Sequence, residues 1–353
     1  MQTTDIIKVI VPAIIAFLTG IALTPTLSHY LYKYKAWKKK SVPVATDGRA
    51  ATISQKLHND EERKTPRMGG VVVWGSVLLV TFFFWLWAGV TKSTMSDGLN
   101  FLSRNQTWLP LFTLLVGALF GFLDDFLTVR DRYDFAAGGL SAMKRLFFVT
   151  VVAIGGAWWF YTKLEVSSII VPFVGIIDIG LLFIPFFILV MLGCYSSGVI
   201  DGIDGLSGGV FASIFSAYGV IAFFQNQLDL AALCFVIVGG LLAFLWFNIP
   251  PARFFMSETG TMALTMTLAV VAFLTGQVLI LPIIAFLLVA TALSSALQLA
   301  SKKLRGGKKL FLVAPMHHYF QAAKGWPAYK VVMRYWVFSV ICAFIGVIIA
   351  LIG

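Results

Sequence analysis

The sequence predicts an all-α polytopic membrane protein of about ten transmembrane helices, with both termini periplasmic. Two features of composition lead there. Apolar residues make up 59% of the chain and charged residues only 12%, against roughly 25% charged in a soluble globular domain. With a mean hydropathy of +0.89, the chain carries more apolar surface than one water-soluble core can hide. Residues 1–353 read as a single membrane domain. Cys194, Cys234 and Cys342 each sit in an apolar run without a CxxC pair, so they point neither to metal nor to redox chemistry. The first apolar run follows only Lys8 and is long enough to span, so it reads as a helix and not as a cleaved signal.

Taken in order, the apolar runs predict helices near 6–28, 69–91, 107–127, 146–162, 177–196, 207–224, 230–248, 259–278, 279–300 and 334–352. The eighth and ninth meet at Gln277-Val278-Leu279, where nine spans with one long tilted helix is the alternative. Ten spans sort the loops into two alternating sets. One set, 29–68, 124–145, 197–206, 249–258 and 301–334, holds 23 of the 27 Lys and Arg, among them Lys38, Lys39, Lys40, Lys302, Lys303, Arg305, Lys308 and Lys309. The other holds Lys8, Lys92, Arg104 and Lys163. The positive-inside rule places the first set in the cytoplasm, in a multi-pass protein of the inner membrane. The net charge of +11 is therefore a topology signal first, and no nucleic acid need be invoked. Anionic lipid or an anionic substrate stays open. There is no convincing internal repeat or low-complexity tract.

Five segments on that face carry chemistry. In Gly121-Phe122-Leu123-Asp124-Asp125-Phe126, two adjacent carboxylates stand at a helix C-terminus, where the dipole and their mutual repulsion both oppose them. A cation or nearby Lys or Arg must compensate, unless they are merely solvated acids at a boundary. In Asp201-Gly202-Ile203-Asp204-Gly205, the acids are three apart and would share a face of a helix. The glycines would let a phosphate approach, though an ordinary turn with Asp204 as N-cap fits as well. Pro250-Pro251 break the helix ending near Asn248 and put Ser257 and Glu258 at the start of the next. Glu258 is either a functional acid or a helix-start acid favoured by the dipole. His317 and His318 offer phosphate-binding or acid/base groups, or sit at the interface. Thr65-Pro66-Arg67-Met68-Gly69-Gly70 is a basic turn into the second helix. Carboxylates suit magnesium, which usually keeps waters and substrate phosphates as further ligands. The cations, Arg67, Lys144 and Arg145 included, suit a phosphorylated substrate. Phosphoryl-type transfer at a membrane surface, with a lipid acceptor, needs these parts.

At these motifs the chain resembles the polyprenyl-phosphate N-acetylhexosamine-1-phosphate transferases: TPxMGG at Thr65–Gly70, GFxDDF at Gly121–Phe126, DGIDGL at Asp201–Leu206, FNxxPAxxFM at Phe247–Met256, and PMHHYF at Pro315–Phe320. KGWP at Lys324–Pro327 favours the branch that handles a muramoyl-pentapeptide. The resemblance implies a magnesium-dependent transfer of phospho-N-acetylmuramoyl-pentapeptide from its UDP donor to undecaprenyl phosphate, with release of UMP, in peptidoglycan synthesis. It implies Asp124, Asp125, His317 and His318 as catalytic groups, one aspartate serving as base. It implies Asp201, Asp204, Asn248, Arg67, Lys144 and Arg145 at the substrate, and Glu258 and Asp201 at the metal. Five residues depart from the pattern: Ser257-Glu258 replace Gly-Asp, Gly198 replaces an asparagine, Thr128 a lysine, and Tyr319 a third histidine. The competing readings are a transferase for another UDP-N-acetylhexosamine, an inactive paralogue, or a membrane transporter, since acids near membrane depth also mark ion paths. Oligomeric state is open, a homodimer included.

Overall fold

The computed structural model of the protein describes residues 3–37, 64–130 and 139–353. Lys38, Lys39 and Lys40 lie outside them. The helices are α1 (Thr3–Lys33), α2 (Gly70–Thr91), α3 (Thr94–Leu99), α4 (Trp108–Arg130), α5 (Ala142–Lys163), α6 (Phe183–Ser196), α7 (Leu206–Phe224), α8 (Leu228–Asn248), α9 (Ser257–Leu274), α10 (Leu281–Ile284), α11 (Phe286–Leu304), α12 (Met316–Lys324) and α13 (Ala328–Ile352). Among the described residues nine helices are long and apolar enough to cross a membrane, and ten crossings result if the bent pair Val278–Ile284 and Phe286–Leu304 counts as one.

Helix α9 is the central one, with 89% of its span buried. It is rich in small and hydroxylated residues, which suits a helix that others must approach closely. The hydroxyls of Thr261, Thr265 and Thr267 donate to the carbonyls of Ser257, Thr261 and Ala263, so these polar groups are satisfied within the helix. Two glycines set the closest contacts. A Cβ on Gly70 would lie 2.3 Å from Gly260 Cα, and one on Gly121 would lie 2.2 Å from the Glu258 carbonyl oxygen. Helices α2 and α4 therefore meet the first turns of α9 backbone to backbone. The outer helices α1 and α13 expose large apolar side chains such as Ile14, Leu18, Phe344 and Ile348, as lipid-facing helices do.

The loops bearing the motifs gather at one end of the bundle. At the opposite end Lys8, near the start of α1, pairs with Asp229 at the start of α8. There too β1 (Ser168–Val171) and β2 (Gly175–Asp178) form an antiparallel hairpin in register Ser168↔Asp178, and Phe173 N–H donates to the Gly353 carbonyl. The sequence reading had begun a helix at residue 177. The β-branched runs Ile169-Ile170-Val171 and Ile176-Ile177 instead pair as strands, with Phe173 and Gly175 at φ 65° and 108° closing the turn.

The alternative of one long tilted helix does not occur, because Gly276 at φ +69° ends α9. The expected ninth helix is itself broken, turning by 82° between α10 and α11. Helix α12 was not anticipated: nine residues are too few to show against their apolar surroundings.

Candidate active site

Asp125 is fully buried at the last turns of α4. Its Oδ1 accepts from Arg67 Nε at 2.9 Å, and its Oδ2 accepts from Thr259 N at 2.9 Å and Thr259 Oγ1 at 2.6 Å. One carboxylate thus ties the Thr65–Gly70 segment to α4 and to the first turn of α9. Two adjacent acids at a helix C-terminus require an offset. The offset comes from Arg67 and from the N-terminus of α9, whose dipole favours negative charge.

Asp124 is engaged differently. Its Oδ1 accepts from Leu140 N at 2.7 Å and lies 3.8 Å from Arg145 Nε. Gly139, at φ +70°, lets the chain pass over this carboxylate: a Cβ there would stand 2.5 Å from Thr128 Oγ1 and 2.9 Å from Asp124 Oδ1. Thr128, where the resemblance expects a lysine, donates back to the Asp124 carbonyl at 2.8 Å. Arg145 Nη1 donates to Glu258 Oε1, so one guanidinium is shared by carboxylates of α4 and α9. Arg145 Nε is buried and makes no hydrogen bond among the described residues.

Asp201 and Asp204 lie in the turn before α7, not on a helix face as their spacing allowed, and the residue capping α7 is Gly205 at φ 78°. Asp201 accepts from Ser207 Oγ and from Ser257 N, both at 2.8 Å. Burial pushes its carboxyl above the ordinary carboxylate range, and those two bonds pull it back part of the way. Asp204 Oδ2 accepts from Ala252 N at 3.2 Å. Asn248 is buried, accepting from Gly205 N and donating to the Phe254 carbonyl, each at 2.8 Å. It braces the two loops against each other. Trp336 Nε1 donates to the Gly205 carbonyl at 3.0 Å from the other side.

His317 is wholly buried on α12, and among the described residues neither of its ring nitrogens is hydrogen-bonded. Burial, with His318 beside it, holds its imidazole well below the usual 6.5. Its Nε2 and that of His318 close on the glycine of the aspartate loop: a Cβ on Gly202 would meet them at 2.5 and 3.0 Å. His318 Nδ1 pairs with Gln321 Oε1 at 3.0 Å.

Arg67, Asp124, Asp125, Arg145 and Glu258 thus form one charged lattice. Asp201 joins it through the Ser257 N–H, and the histidines reach it through Gly202. Lys144 is exposed at the start of α5. Sequence reasoning missed Thr259, Ser207 and the N–H groups of Leu140 and Ser257, the donors that hold the acids. The one available signal was the helix start placed at Ser257–Glu258, since a first turn has free N–H groups to offer. Ser257 takes φ 56°, the conformation a glycine adopts freely, which explains the glycine of the related pattern at this position.

Among the described residues no three Asp, Glu, His or Cys side chains converge to hold a metal by themselves. Magnesium seldom asks for that, using one or two carboxylates with phosphates and water. Asp124 and Glu258 face one shared guanidinium and so already share a place for positive charge. Asp201 retains lone pairs beyond the two it uses, since a carboxylate offers about four. These hard oxygen donors fit such an ion.

The chain is 34% identical over 301 residues to the phospho-N-acetylmuramoyl-pentapeptide-transferase of Listeria monocytogenes serotype 4b, covering 84% of this chain and 87% of that protein. The chain belongs to that transferase family. Members from Chloroflexus aurantiacus, at 33% identity over 82% of this chain and 77% of theirs, and Chloroflexus aggregans, at 30% over 99% and 91%, carry the same name. Residues 107–276 match the broader glycosyl transferase family 4, a stretch that runs from the start of α4 to the end of α9 and contains both aspartate motifs and Glu258.

Proposed function

We propose that the protein transfers phospho-N-acetylmuramoyl-pentapeptide from a UDP donor to undecaprenyl phosphate, with release of UMP, at the cytoplasmic face of the plasma membrane. The observation that carries this reading is the charged lattice itself. Motif segments from across the chain bring three carboxylates and two arginines together at one end of a membrane bundle. That is where a water-soluble diphosphate and a lipid phosphate can meet. The family's shared name supplies the substrate class.

In this reading an oxygen of the lipid phosphate attacks the sugar-linked phosphorus of the donor. A new P–O bond forms, the bond to the bridging oxygen breaks, and UMP leaves. Asp124 takes the proton of the attacking phosphate, because its described bonds leave it freer than Asp125, which is held by Arg67 and Thr259. Arg145 and Arg67 neutralise phosphate oxygens as charge moves. Asp204 and Asn248 keep the glycine-rich loop in place, and His317 and His318 close over it. Magnesium held by Glu258 and Asp201 would offset charge on the diphosphate.

The test is purified protein with undecaprenyl phosphate and a panel of UDP-sugars, with UMP measured with and without magnesium. Release is expected with the muramoyl-pentapeptide donor and magnesium together, and Glu258→Gln should abolish it. Turnover only with a different UDP-N-acetylhexosamine would move the protein to another substrate, and no release with any donor would overturn the enzyme reading.

A further inference from the structure

After Glu258 the chain contains no acidic residue, yet it carries eight Lys and Arg. Five of these, Lys302, Lys303, Arg305, Lys308 and Lys309, fall in the last turn of α11 and the turn that follows it. Lys303, Arg305, Lys308 and Lys309 are exposed, and among the described residues none of these four pairs with a carboxylate. A rule about loop charge accounts for their number. It does not account for the leucines set among them: Leu304 is 83% exposed, Leu310 49% and Leu312 50%.

The turn is also built and not merely extended. Gly307 N donates to the Lys302 carbonyl at 2.7 Å and Ser301 Oγ to the Lys308 carbonyl at 3.0 Å. Gln298, one turn back on α11, accepts from Leu310 N and Phe311 N at 3.0 and 2.9 Å and donates to the Phe311 carbonyl at 2.9 Å. This strap fixes the cations and leucines together at the end of a membrane-crossing element.

We propose that the 302–312 turn is a docking site for the headgroups of anionic phospholipid. The cations meet lipid phosphates while Leu304, Leu310 and Leu312 enter the acyl boundary. Cations alone would suit any solvated face; cations with exposed leucines, beside a bilayer, suit a charged lipid surface.

The experiment compares wild type with the quadruple variant K303Q/R305Q/K308Q/K309Q in detergent, without substrate. Melting temperature is read with added phosphatidylglycerol and with added phosphatidylcholine, and retained lipid is counted by native mass spectrometry. Phosphatidylglycerol should raise the wild-type melting temperature more than phosphatidylcholine does. The quadruple variant should lose about half or more of that difference, and high salt should abolish it in wild type. L304S/L310S/L312S should weaken lipid retention while leaving the charge intact. If the quadruple variant melts abnormally even in phosphatidylcholine, the milder pair K308Q/K309Q replaces it and should show a partial loss. An undiminished phosphatidylglycerol effect in the charge variants means a solvated face and overturns the proposal. So does stabilisation of wild type by inorganic phosphate or UMP that the charge variants lose, since the turn would then read free phosphate and not lipid.

Discussion

Adjacent aspartates with the same chemistry have been given different work by their neighbours. Asp125 has three donors on its carboxylate, and an asparagine there could offer only one acceptor oxygen, turning its NH₂ toward either Arg67 or Thr259. Asp125→Asn should therefore lose activity and also about 2–3 kcal/mol of stability, the scale of hydrogen bonds to a charged group. Asp124 spends fewer bonds on the fold. Asp124→Asn should cut UMP release on the order of 10²-fold or more while costing only about 1 kcal/mol of stability, because the amide oxygen can still accept from Leu140 N. Thermal unfolding alongside a UMP assay separates the two, and equal stability losses would refute the division of labour. Ser257 gives a second test at this scale. Its φ of 56° costs an L-residue roughly 1–2 kcal/mol, part of which glycine returns as backbone entropy. Ser257→Gly should melt at or above the wild-type temperature and Ser257→Val clearly below it, because a branched Cβ tolerates positive φ worst. A valine variant as stable as wild type would mean that the local backbone differs.

At the scale of elements, the site depends on how closely α4 lies on α9. A methyl on Gly121 would run into the Glu258 carbonyl oxygen, a backbone atom that no side-chain rotation can move away. Gly121→Ala should push the helices apart one turn from the Asp125–Thr259 bonds. The expected result is a loss of turnover on the order of 10²-fold and about 1–3 kcal/mol of overpacking, with no charged residue altered. Gly155→Ala, which meets open space on α5, is the control and should leave both intact. The same contact shows what the sequence could and could not disclose. The long helices were legible because each is a sustained apolar run. The acids and arginines were legible because charge is costly in so apolar a chain and must have a purpose. The hairpin was hidden because a few β-branched residues beside an apolar run look like more helix. The 82° break was hidden because Ala285 carries no breaker signal. Thr259 and Ser207 were hidden because a hydroxyl in a helix usually bonds its own backbone, and only the packing of α4 on α9 and the fold-back of the loop before α7 turn these two toward aspartates.

For the whole molecule, the geometry turns the charge asymmetry into a question about sides. The start of α1, the hairpin and Gly353 share the end opposite the charged lattice, so the chain crosses an even number of times between its described ends. Counting the broken α10–α11 pair as one crossing gives ten, an even number, and this predicts that the pair spans the membrane. By the positive-inside rule, the 23-to-4 split of Lys and Arg predicts that the lattice end faces the cytoplasm. Cys194, Cys234 and Cys342 are all buried, so single cysteines can be introduced over a quiet background. Val174→Cys, at the exposed hairpin tip, should react with a membrane-impermeant maleimide in right-side-out spheroplasts. Lys309→Cys should react only after permeabilisation. Labelling of both from outside would mean an even number of crossings between them and would remove α10–α11 from the membrane. A reversed pattern would keep the ten crossings but turn the lattice outward, away from any cytosolic UDP donor, and the proposed reaction would lose its substrate.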